Sequence, residues 1–116
     1  MRSFSFPKNE RLLNRKDFVN LNRFGKRYHG EHFTLIFGKN RLTGRRLGIT
    51  VGKKVGNSVK RNRVKRFIRE FFRLNKNCFP DNYDIVVVAK IGAVDLAFRK
   101  VEKELREIIL DKKIHL

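Results

Sequence analysis

Val64, Phe67, Ile68, Phe71 and Phe72 recur at i, i+3, i+4, i+7 and i+8. That spacing places all five on one stripe of an α-helix, which must be covered by other parts of the chain. Asn62, Arg66, Arg69 and Arg73 recur on the opposite side at spacings of four, three and four, flanked by Arg63 and Lys65. One side of this helix therefore docks on a core, and the other presents cations. Gly52 and Gly56 bracket Lys53-Lys54-Val55 just upstream, and Asn57 or Ser58 is the candidate N-cap.

The rest of the chain supplies what covers the stripe. Asn14 as N-cap and Asp17 in the first turn start a short helix that carries Phe18 and Leu21 and ends near Gly25. His32–Phe37 is rich in aromatic and β-branched residues and predicts a strand, followed by a polar loop over 39–46. Leu47–Val51 predicts a second strand, paired with the first as an antiparallel hairpin. The run Ile85-Val86-Val87-Val88 predicts a strand buried on both faces, hence central in a sheet. Val94, Ala97, Phe98, Val101, Leu105, Ile108 and Ile109 keep the helical spacing of a long amphipathic helix. The opposite face of that last helix mixes acids and bases, as a solvated face does. The predicted order is α-β-β-α-β-α, with a further short strand expected near Lys53–Val55. This is an α/β (α+β) two-layer sandwich on a small mixed sheet, one domain over residues 1–116. Residues 1–12 read as irregular or extended.

Charge points to the partner. Lys and Arg total 29 against 11 acids, a net charge of +18. Residues 41–73 alone hold 12 of the bases and a single acid, Glu70. Like charges on adjacent helical turns repel by a few tenths of a kcal/mol per pair, so a polyanion is needed to neutralise them. Nucleic acid is the first reading and an anionic membrane surface the second. Arginine suits phosphate because its planar fork donates two parallel hydrogen bonds. The amides of the helix start after Gly56 add to anion binding.

Aromatic residues interleave with this charge. Phe18, Phe33 and Phe37 are each either core or a stacking platform for unpaired bases. Phe33 and Phe37 alternate with Leu35 on one strand face, which favours core. The other strand face, with His32, Thr34 and Ile36, is expected to be partly open.

Independent catalysis finds no support in the sequence. His29, His32 and His115 lack a Cys or carboxylate at metal-ligand spacing, and no nucleophile–base set or carboxylate pair stands out. Gly52 and Gly56 do not complete a dinucleotide or P-loop fingerprint. Asp81, Asp84 and Asp95 read as turn, strand-edge and cap residues. Cys78 is the only cysteine, so an internal disulfide is excluded and a reducing, cytoplasmic location is expected. No apolar run reaches the ~20 residues that span a bilayer, and the N-terminus lacks the apolar core of a secretory signal.

The segment Lys53-Lys54-Val55-Gly56-Asn57-Ser58-Val59-Lys60-Arg61-Asn62-Arg63-Val64-Lys65-Arg66 resembles the signature of the bacterial ribonuclease P protein family, centred on the Arg61-Asn62-Arg63 element. Arg11-Leu12, Asp17-Phe18 and Gly25 resemble the family's first helix region. Leu47–Val51 and Tyr83–Lys90 resemble its strands on either side of the signature helix. The resemblance implies an RNA-binding subunit that assists a catalytic RNA in removing the 5′ leader of precursor tRNA. It implies Mg2+ held mainly by the RNA and substrate phosphates, one protein per RNA, and no catalytic or metal-binding residue on the protein. It places Lys53, Lys54, Arg61, Asn62, Arg63, Lys65, Arg66 and Arg69 against the catalytic RNA. It places Phe18, Asn22, Thr34, Ile36, Thr50 and Lys90 in a leader-binding cleft. Asn22 and Ile36 stand where an aromatic is common in the family, and Phe24 is the alternative from the next turn. The resemblance also implies a left-handed β-α-β crossover, where general chain topology favours the right-handed form. The alternative function, on charge and fold class alone, is a basic ribosomal or RNA-chaperone-type protein.

Overall fold

The computed structural model describes residues 6–42 and 44–111. Its main elements are α1 (Arg15–Phe24), β1 (Lys26–His29), β2 (Phe33–Lys39), β3 (Arg46–Thr50), α2 (Ser58–Leu74), β4 (Tyr83–Ala89) and α3 (Phe98–Asp111). The two helix starts follow their caps. Asn14 Oδ1 accepts from the Lys16 amide at 2.8 Å, and Asn57 Oδ1 accepts from the Lys60 amide at 2.9 Å. α1 stops at Gly25, whose extended backbone turns the chain directly into β1.

The sheet has the order β1-β2-β4-β3. β2 is antiparallel to both β1 and β4, whereas β3 runs parallel to β4. The expected β2–β3 hairpin is therefore absent: β4 lies between the two strands. The physical reason is the apolar β4 run, which is buried on both faces and gains ladder hydrogen bonds on both edges only from a central place. The loop after β2 closes onto the start of β4. Asn40 N donates to Asn82 O at 2.7 Å, and Asn82 N donates to Gly44 O at 3.1 Å. The hairpin that does form is β1–β2, with Gly30 N donating to Phe33 O at 2.7 Å. β1 is a short edge strand whose charged residues discourage further strand pairing. Nor do Lys53–Val55 form a strand; they make a single 3-10 turn between Gly52 and Gly56.

α2 and α3 cover one face of the sheet. Phe33, Leu35 and Phe37 of β2 and Ile85, Val87 and Ala89 of β4 form a core there. Val64, Ile68, Phe71 and Phe72 of α2 complete it together with Val101, Leu105, Ile108 and Ile109 of α3. Phe33 and Phe37 are thus core residues. Each fully buried side chain of this size contributes about 1.5–3 kcal/mol. Phe67, at the rim of the stripe, meets Phe98 edge to face at 5.6 Å. The last helix begins later than its apolar pattern suggests. Ala93–Asp95 form a 3-10 turn after Gly92, whose φ of 95° ends any helical path there. Val94 still packs in the core from that turn.

α1 lies across the other face. It forms a smaller core in which Leu12, Leu21, Ile36 and Val86 are buried and Phe18 and Val88 are partly buried. Two glycines make the close approach possible. A Cβ on Gly48 would stand 2.6 Å from Phe18 Cζ, and one on Gly38 would stand 2.3 Å from Leu21 Cδ1. An ion-pair network fixes the N-terminal end of α1. Arg46 donates from Nε and Nη2 to the two Asp84 oxygens at 2.8 and 2.7 Å, and its Nη2 lies 3.3 Å from Asp17 Oδ2.

Candidate nucleic-acid interface

The outer face of α2 is built by its register. Lys53, Lys54, Asn62, Arg63, Arg66 and Arg69 are exposed, and Arg61 and Lys65 are half-buried. Arg61 folds back over the helix start, donating from Nε to Gly56 O at 3.0 Å. That bond ties the arginine to the turn and leaves its other guanidinium nitrogens to a ligand. Arg63 lies over the Phe67 ring, 5.1 Å from its centroid, so its charge is held at a fixed place on the helix. Lys60 pairs with Asp95 at 3.4 Å, and Arg73 pairs with Glu70 at 2.6 Å. Among the described residues, none of Lys53, Lys54, Arg61, Arg63, Lys65, Arg66 and Arg69 forms an ion pair with an acid. These seven cations face solvent or the helix surface without compensation.

The second set of predicted residues lies on the α1 side of the sheet. The register aligns His29, Thr34, Val88 and Thr50 in one row across all four strands. Thr34 and Thr50 are thereby brought onto the same pleat, although Thr34 is 6% exposed and shares a 3.1 Å hydrogen bond with His29 Nδ1. Lys90, two residues beyond Val88, donates from Nζ to Gly30 O at 2.7 Å and bounds one end of the row. Phe18 and Asn22 project from α1 about 40° apart around the helix axis, and Phe18 lies over Gly48 of β3. Asn22 is exposed, and its carbonyl accepts from Arg27 Nη2 at 2.6 Å.

Ile36 is placed differently. It is 0% exposed, sealed between Leu12, Leu21 and Val86, so the expectation of a partly open face does not hold at this position. The cause is α1 itself, which crosses the sheet over Ile36. Phe24 does not take over from Asn22 either: it sits about 120° from Phe18 around α1, on the opposite flank. The sequence reading missed His29 and Arg27, because β1 was not foreseen. Four residues reading Lys-Arg-Tyr-His carry no apolar alternation that could have revealed it.

The two sets meet at the β3 edge. A groove of about 390 Å3 is lined by Phe18 and Leu12 from the α1 side, Gly48 and Ile49 of β3, and Lys65 and Arg69 of α2. An aromatic face therefore adjoins two uncompensated cations in a single depression, the pairing that holds unpaired bases and their phosphates. Among the described residues, no three His, Cys, Asp or Glu side chains converge as a metal-ligand set. No helix among them is long and apolar enough to cross a membrane.

Comparison with known proteins identifies the family. The family model described as Ribonuclease P matches residues 6–113. The ribonuclease P protein component of Syntrophus aciditrophicus is 45% identical over 105 residues, covering 90% of this chain and 88% of that protein. The one from Geotalea uraniireducens is 46% identical over 110 residues, covering 94% and 96%. Among solved structures, the RNase P protein from Thermotoga maritima superposes with a TM-score of 0.81 at 36% identity, covering 92% of this chain and 99% of that one. The Staphylococcus aureus RNase P protein gives 0.83 at 31% identity, covering 90% and 96%. With matches of this extent in sequence and in fold, the chain belongs to the family of ribonuclease P protein components.

Proposed function

We propose that this ribonuclease P protein component binds the enzyme's catalytic RNA through the outer face of α2 and the 5′ leader of precursor tRNA along the α1 side of the sheet. The observation that carries the reading is the β3-edge groove, where Phe18 meets Lys65 and Arg69. Lys53, Lys54, Arg61, Asn62, Arg63, Lys65, Arg66 and Arg69 contact the catalytic RNA mainly through phosphate. Such contacts set register and affinity and carry little sequence information.

On the leader side, Phe18 offers the stacking face, while Thr50, Asn22 and Lys90 offer polar contacts to the backbone. Thr34 acts through His29, to which it is hydrogen-bonded, and Ile36 supports α1 from beneath. The product is the mature tRNA 5′ end. The proposal leaves Mg2+ with the RNA subunit and the substrate phosphates, and the cleavage chemistry with the RNA. The protein's own part is to bind the two RNAs together and orient the leader, one protein per RNA. A cytoplasmic site fits this role and the single free cysteine.

Reconstitution with the cognate catalytic RNA at low Mg2+ tests the reading. Adding the protein should raise cleavage of precursor tRNA, because bound cations replace part of the ion atmosphere the RNA would otherwise need. No gain at any protein concentration would overturn it. Phe18→Ala should lower affinity for substrates that carry a leader and spare mature tRNA; equal loss on both would remove the cleft from the account.

A further inference from the structure

On the flank of α1 away from Phe18 lies a second groove, of about 550 Å3. Phe24 and Asn20 form its α1 wall, and Lys39 at the end of β2 with Asn40 and Arg41 of the loop after it form the other. Phe24 is 79% exposed, an unusual state for a phenylalanine at the end of a helix. Its ring is already engaged by a cation, with Arg23 Cζ 5.6 Å from the centroid. Two acids also line the groove, Asp17 and Asp84, and both are bound to Arg46. Among the described residues, neither Lys39 nor Arg41 is paired with an acid. The groove thus combines an open aromatic face, an arginine stacked on it and two uncompensated cations opposite.

We propose that this groove is a second single-stranded RNA site, which takes leader nucleotides upstream of those lying against Phe18. A base stacks on Phe24, and its flanking phosphates meet Lys39 and Arg41. Three observations favour RNA over a protein partner. The open apolar surface is one ring, too little for a protein interface core. The lining carries a net +1, three cations against two acids, and both acids are engaged by Arg46, which leaves Lys39 and Arg41 for phosphate. The groove and the Phe18 side are separated only by the width of α1, about 10–12 Å with side chains, so one extended strand reaches both. The catalytic RNA is the less suitable occupant, because no residue of α2 lines this groove. The proposal rests on the leader reading above and extends it to a longer footprint.

The test uses the protein assembled with its catalytic RNA and measures precursor-tRNA affinity for leaders of about five and about fifteen nucleotides, near the lower and upper ends of single-strand site sizes. Phe24→Ala should weaken the long-leader substrate by roughly 5- to 100-fold, the range for losing one base–aromatic stack, and leave the short one within about two-fold. Lys39→Ala with Arg41→Ala should reproduce the length dependence and lower its salt sensitivity. Because Phe24 is exposed, its removal leaves the fold intact, which urea denaturation checks. An unchanged long-leader affinity overturns the proposal. Equal losses at both lengths also overturn it and assign the groove to the catalytic RNA or another partner. Failure of the underlying reading registers separately. If the wild-type assembly does not prefer a leader-bearing substrate, or Phe18→Ala has no effect, the cleft reading fails; in the first case the groove falls with it.

Discussion

α2 and α3 lie on the same face of one sheet and bury the same kind of stripe. Val64, Ile68, Phe71 and Phe72 from one interleave with Val101, Leu105, Ile108 and Ile109 from the other. Their charges differ: α2 is strongly positive and α3 is balanced. α2 carries seven bases and one acid, whereas α3 carries four of each. On α3 the acids have local work: Glu102 pairs with Arg106 at 3.6 Å, and Glu104 accepts from the His32 and Phe33 amides at 2.7 and 2.9 Å. On α2 the one acid is held by Arg73, Lys60 pairs with Asp95, and the other five cations have no acidic counterpart. Packing therefore explains why both helices are where they are, and charge explains why only one is suited to a polyanion. A core stripe by itself says nothing about function; the excess on the far side does.

If packing treats the two helices alike, truncating either stripe should cost similarly. Phe72→Ala in α2 should destabilise the fold by about 3–5 kcal/mol and Leu105→Ala in α3 by about 2–5 kcal/mol, read from urea denaturation. A loss confined to one helix would break the equivalence.

Smaller effects are expected where polar groups tie helices to the sheet. Glu104→Gln removes the charge that three donors share and should cost about 1–3 kcal/mol. Asp84→Asn should cost a similar amount by loosening Arg46 and, through it, the start of α1. The Asp84 hydrogen bond is the largest reason the Arg46 pKa stands above the ordinary arginine value, with partial burial opposing it and Asp17 assisting. A raised cation pKa means stability that is present below the unfolded value and lost only as pH rises through the folded one. The Arg46 contribution should therefore stay constant between about pH 7 and 10, and a decline within that window would contradict the assignment. The smallest effect belongs to the exposed α3 pair: Glu102→Ala should change stability by no more than about 0.5 kcal/mol.

How far the sequence reaches depends on the range of the interaction that decides each feature. The caps at Asn14 and Asn57 and the α2 stripe are set within one or two turns, and all were readable. The central place of β4 followed from its continuous apolar run. The partner of β3 was not readable, because a strand carries no local mark of which edge it joins. A loop hydrogen-bonded to Asn82 replaced the simple hairpin. β1 was missed because its four residues, Lys-Arg-Tyr-His, carry no apolar alternation. At the site, the α2 cations were legible from spacing, and the leader-side set came from family resemblance. The burial of Ile36 depends on where α1 crosses the sheet, a close approach that Gly38 and Gly48 permit.

The central claim is that the uncompensated face of α2, and not the +18 charge as a whole, holds the catalytic RNA. The direct measurement is the salt dependence of that binding for two double variants that remove equal charge: Arg61→Ala with Arg66→Ala on α2, and Arg99→Ala with Lys103→Ala on α3. The account predicts a salt slope shallower by about 2 and weaker binding for the α2 pair, with little change for the α3 pair. Equal slopes for the two variants would contradict it.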